Sequence, residues 1–132
     1  MTLQRVLDLA DEMKPNMVSL ETRIQFINEI EGKIHGEILM KHVHEAEDEE
    51  CPTYSADTDA NEELEDGDEE LLVPAPYDMV YVYWLLSRID EINQEMDKYN
   101  NDRAMFENAW TEFGDYWRRG HMPITPYPQF YF

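Results

Sequence analysis

The chain has 132 residues, 42% of them apolar, which suits one domain with a modest core and argues against global disorder. Thirty Asp and Glu against ten Lys and Arg leave a formal charge of −20, which repels DNA, RNA and anionic membranes because affinity for phosphate rests on cations. The longest apolar run, Met79 to Leu86, has eight residues against the ~20 of a membrane span, no basic-then-apolar leader opens the sequence, and one cysteine, Cys51, fits a reducing compartment.

Thr2 to Lys14 reads as a short first helix. Leu3, Val6, Leu7, Ala10 and Met13 share one helical face, Thr2 is a suitable N-cap, and Pro15 disfavours helical geometry at Lys14. A second helix is expected after Ser19, with a buried stripe of Ile24, Ile27, Ile30 or Glu31, Ile34 and Ile38, fraying near His44. Gly32 and Gly36, four apart on it, would permit close approach of a neighbouring helix.

Residues 45 to 70 hold fourteen of the thirty acids, no Lys or Arg, and only six apolar residues. Such a stretch buries too little to offset chain entropy, so it reads as a solvated, mobile loop inside a helical domain spanning 1–123. Outside it the charge is an ordinary −6.

Glu70 to Asp78 reads as an extended approach to a third helix, with Pro76 in its first turn. The run Tyr77 to Leu86 also suits a strand, and length decides for helix: Tyr77, Tyr81, Leu85, Arg88, Ile92, Met96 and Tyr99 keep helical phase. The phase continues through Arg103, Phe106, Trp110, Phe113 and Trp117, giving one long helix or two with a kink at Asn100–Asn101. Arg118, Arg119, Gly120 and Pro123 form a strong stop signal. The fold class expected is all-α.

The segment 124–132, ITPYPQFYF, differs in kind. Its prolines exclude regular helix, and its aromatics would be an aggregation hazard in water, so it reads as an extended docking tail. Pro126, Tyr127, Pro128, Phe130, Tyr131 and Phe132 are the candidate partner interface, on another subunit rather than on the same domain.

No chemistry-bearing motif stands out. The five glycines form no phosphate loop. His42, His44, Glu45 and Cys51 come nearest to a metal cluster, but residues two apart on a helix face different ways. Acids around Cys51 make its thiol a poor nucleophile, and carboxylates in a floppy tract lack the fixed geometry of acid–base catalysis. No enzyme activity, cofactor or metal is expected.

Several stretches carry a family pattern: Lys14-Pro15-Asn16, Asn28-Glu29-Ile30-Glu31-Gly32, Glu70-Leu71-Leu72-Val73-Pro74-Ala75-Pro76-Tyr77-Asp78, Tyr99-Asn100-Asn101, Phe106-Glu107-Asn108-Ala109-Trp110, and Arg119 with Met122-Pro123. Together, from Leu3 to Pro123, they resemble the head–tail connector (neck adaptor) proteins of long-tailed bacteriophages. The resemblance implies a homo-oligomeric ring, commonly of twelve copies, joining the portal protein to the next neck or tail component. It implies virion localisation after assembly in the bacterial host cytoplasm. DNA would pass through the ring without specific binding, helped by surfaces that do not hold phosphate. The alternative from a different class is an acidic DNA mimic that occupies a host defence or nucleic-acid enzyme. A good mimic displays carboxylates on rigid elements, which a floppy acidic loop does not. A neck protein built on a small β-barrel is a third possibility, and strand-period alternation is poorly represented.

Overall fold

The computed structural model describes residues 1–39 and 51–120 and is all-α, with no strand among them. Helix α1 spans Leu3–Met13, α2 Leu20–Lys33, α3 Met79–Ile92 and α4 Met96–Gly120; a π-helical stretch, Ile34–Leu39, prolongs α2. The first two helices begin where hydroxyl caps dictate. Thr2 Oγ1 accepts from Arg5 N–H at 3.2 Å, and Ser19 Oγ accepts from Thr22 N–H at 3.2 Å.

α3 is the centre of the molecule and packs against α1, α2 and α4. Val80, Tyr81, Val82, Leu85, Leu86 and Ile89 are all buried on it, so it is apolar nearly all round, as a helix enclosed by others must be. Leu3, Val6, Leu7 and Ala10 of α1 complete the core with Ile24, Ile27, Ile30, Ile34 and Ile38 of the second helix and its extension. Trp84 ties α3 to α2 through its indole N–H, which donates to the Phe26 carbonyl at 2.9 Å. A Cβ added at Gly32 or Gly36 would meet nothing within 4 Å. The close helix approach expected there is absent.

The expected long helix is a helical hairpin, and its break lies at residues 93–95 rather than at Asn100–Asn101. Tyr77 stacks on Tyr116 at 4.6 Å and Trp84 meets Phe106 at 5.0 Å, so α3 and α4 run antiparallel. The turn is a Schellman motif. Glu95 N–H donates to the Asp90 carbonyl at 3.0 Å, Gln94 N–H to that of Glu91 at 3.3 Å, and Gln94 takes the left-handed conformation at φ 58°. Without Gly or Pro at 93–95, nothing in the residue types announces this turn. The continuous helical phase instead reflects two apolar stripes that face each other. Ile92 and Met96, counted in that stripe, stand half-exposed at the turn. Pro76 also lies outside the helix it was expected to start, since α3 begins at Met79 after Asp78.

The acidic segment needs a larger correction. Its described part, 51–70, lies on the helices and borrows their core. Tyr54 is buried, and the Asn28 side chain clasps its backbone by two 2.9 Å hydrogen bonds, donating to Tyr54 O and accepting from Tyr54 N–H. The segment also completes α1. Leu3 N–H and Gln4 N–H, which have no acceptor within their own helix, donate to the carbonyls of Glu69 and Gly67 at 3.0 Å each. That approach is tight: a Cβ at Gly67 would lie 3.1 Å from the Leu64 carbonyl oxygen and 3.3 Å from Gln4 Cβ, so a larger residue there would make its neighbours give by a few tenths of an ångström. The carboxylates themselves shape the turns, with Asp59 accepting from Asn61 and Glu63 N–H and Asp66 from Ser55 N–H. The fraying expected near His44 falls outside the described residues.

The left-handed Gln94 gives a clean test of the hairpin. Gln94→Gly relieves the Cβ penalty at that φ and should raise unfolding free energy by about 0.5–1 kcal/mol in denaturant titration. A loss of stability would contradict the turn described.

Candidate functional site

The residues expected to form an interface, Pro126, Tyr127, Pro128, Phe130, Tyr131 and Phe132, lie outside the described residues, as do His42, His44 and Glu45. Cys51 is described and half-buried, and both burial and the charge of Glu31 push its thiol pKa up. Among the described residues no group of three or more His, Cys, Asp or Glu could hold a metal ion. No described helix is long and apolar enough to cross a membrane.

Two polar clusters lie inside the helices. The first centres on Glu31, which has no exposed surface. Tyr81 donates its hydroxyl proton to Glu31 Oε1 in a short hydrogen bond; Tyr54 donates to Oε2 at 2.9 Å and Leu72 N–H to Oε2 at 3.2 Å. The Tyr81 oxygen in turn accepts from Val73 N–H at 2.9 Å. One carboxyl thus joins α2 to α3, to the acidic segment through Tyr54, and to the chain leading into α3 through Leu72. Burial raises the Glu31 pKa and outweighs the three donors, which act in the opposite direction. Burial and the adjacent carboxyl also push both tyrosines well above the ordinary phenol range.

The second cluster is ionic. Asp90 of α3 is fully buried and forms an ion pair with Lys14, whose Nζ also lies 3.4 Å from Asp102 of α4. It pins the end of α1 to the closed end of the hairpin. Both clusters hold elements together, and Tyr54 of the first and Lys14 and Asp102 of the second also line surface clefts.

On the surface, cations gather over rings. Lys33 Nζ lies 4.8 Å from the centre of the Trp84 ring, Arg88 lies over Phe26 at 4.7 Å, and Arg103 lies over Phe106 at 5.1 Å. A groove of about 350 Å³ runs beside them between Lys33, Arg103, Phe106 and Trp110. Its charges are balanced locally, Arg103 pairing with Glu107 at 3.4 Å.

The sequence carried partial signals for these clusters. Glu31 shared a stripe position with Ile30, an acid where a helix should be apolar, and Asp90 is an acid beside the buried Ile89 near the end of a largely apolar helix. Pairing them with Tyr81, Tyr54 and Lys14 required the fold.

Each cluster predicts a measurable effect. Lys14→Met strands a buried carboxylate and should cost about 3 kcal/mol, whereas Asp102→Asn, at the partly exposed edge, should cost under about 1 kcal/mol. Denaturant titration of both variants checks this. For Glu31, a folded pKa above the ordinary 4.5 means that its stabilising contribution is complete below pH 4.5 and is lost as pH rises through the folded value. The stability of the wild-type chain relative to Glu31→Gln should therefore fall from pH 4 towards neutrality. A gap independent of pH would show that this carboxyl titrates alike folded and unfolded.

No protein-family model, no curated protein and no solved structure matches this chain.

Proposed function

We propose that this chain is a structural virion protein, a head–tail connector that forms a ring beneath the portal and lines the channel through which DNA passes. The reading rests on the resemblance carried by the segments from Leu3 to Pro123. The observation that supports it is where the cations lie. Of the nine Lys and Arg among the described residues, six (Lys14, Arg23, Arg88, Lys98, Arg103 and Arg118) are in ion pairs with carboxylates, and Lys33 lies over Trp84. With these cations neutralised or held over a ring, the surface offers DNA little to hold it, which suits a wall that DNA must pass without sticking. A rigid helical hairpin fastened to two further helices also suits a ring wall.

One observation favours a second reading, the acidic DNA mimic. Asp59 and Asp66 sit in hydrogen-bonded turns against the helices, so part of the acidic segment presents carboxylates on a defined frame. The two readings separate by partner. Immobilised chain should retain purified portal protein, and electron microscopy of the mixture should show a ring seated on the portal. Removal of residues 124–132 should leave the helical circular dichroism unchanged and block tail attachment. Infectious particles assembled with the truncated chain would count against the docking tail. Retention of a nuclease or restriction subunit in place of portal protein would establish the mimic.

A further inference from the structure

Exposed apolar surface collects at one end of this molecule. Six large hydrophobic side chains stand exposed among the described residues, and four of them, Met13, Met17, Ile92 and Met96, lie where α1 ends and α3 turns into α4. Lys14 shows that these are one end, because it follows Met13 and reaches Asp90 and Asp102. A cleft of about 350 Å³ opens there between Met13 and Leu86 on one side and Asp97 and Asn101 on the other. Methionine is adaptable and packs well against aromatic rings, and an exposed cluster of it marks a surface that binds another chain. Glu12, Glu91 and Asp97 stand exposed at this end, while Lys98, which lines the cleft with Asp97, is paired with Glu95 at 3.3 Å.

We propose that this end receives the aromatic segment Tyr127–Phe132 of a second copy, so that copies join head to tail. The inference rests on the connector reading in taking the chain to be one that assembles. Charge selects the segment. Two chains of −20 repel over most of their surfaces, and residues 116–132 form the longest stretch without Asp or Glu and carry Arg119 just ahead of the aromatic segment. That part of the chain approaches an acidic rim at the lowest Coulomb cost.

Reach selects a second copy over the same one. α4 separates the two ends, and at 1.5 Å per residue Gly120 lies about 36 Å from Met96. The ten residues from Gly120 to Phe130 span at most about 36 Å when fully extended. Within one chain, the rings would arrive only on a taut strand laid along the whole of α4. A neighbour whose methionine end abuts Gly120 is within reach of a relaxed segment. Such a contact joins unlike surfaces, so repetition closes a ring or continues as a filament.

Cross-linking in the full chain tests this. A benzophenone amino acid at position 130, in an equal mixture of ¹⁴N- and ¹⁵N-labelled chains, should link to peptides containing Met13, Met17, Ile92 or Met96, with mixed isotopes. The double variant Met17→Gln, Met96→Gln alters only exposed side chains. It should weaken self-association at least about tenfold in sedimentation, with circular dichroism unchanged. Cross-links confined to like isotopes or to other peptides, unaltered association of the double variant, or a wild-type chain monomeric at every soluble concentration each overturn the proposal. If the chain binds portal while its cross-links fall elsewhere, the docking fails and the connector reading stands. If the chain ignores portal yet cross-links as described, the connector reading fails and the docking stands.

Discussion

Glu31 has no exposed surface, and its carboxyl collects protons from Tyr81, Tyr54 and the Leu72 amide. A group this polar tolerates burial only when every oxygen has partners. Those partners come from three parts of the chain distant in sequence, so the carboxyl can be satisfied only when α2, α3 and the acidic segment are all in place. The arrangement gives little net stability over an apolar core of the same shape, and what it adds is register. A rotation of α2 by one residue would leave Glu31 without Tyr81 and bury an orphan charge.

The same logic governs the rest of the charge. An excess of twenty negative charges favours expansion of the chain, and a compact state survives when the acids are either spread in water or used as acceptors. Both occur. Asp90 is matched by Lys14 at the hairpin turn, while Asp59 and Asp66 accept backbone protons and so build the turns of their own segment. The scarce cations are placed where they do two things at once, pairing with an acid and covering a ring, as Arg88 does with Glu91 and Phe26. Among the described residues this leaves an anionic exterior and an apolar end, at Met13, Met17, Ile92 and Met96, free of such covering.

The acidic segment shows how composition misleads. Read alone, residues 51–70 have too few apolar side chains to form a core. They need none, because Tyr54 enters a core that α2 and α3 already make, and Asn28 supplies the hydrogen bonds a neighbouring strand would otherwise give. The benefit runs both ways, since the carbonyls of Gly67 and Glu69 satisfy the first amides of α1. Neither half of this exchange has a local signature.

What was legible in the residues alone was local. The starts of α1 and α2, the faces they bury and the helical character of Met79–Ile92 follow from caps and periodicity, which depend on neighbours three or four positions away. The break at Gln94, the pairing of Lys14 with Asp90, the bonds of Glu31 and the gathering of Met13, Met17, Ile92 and Met96 at one end depend on contacts between remote segments. Helical phase runs unbroken through two antiparallel helices that face each other, so periodicity could not separate a rod from a hairpin. Only folding the hairpin closed brings Asp102 to Lys14, and that step belongs to tertiary packing.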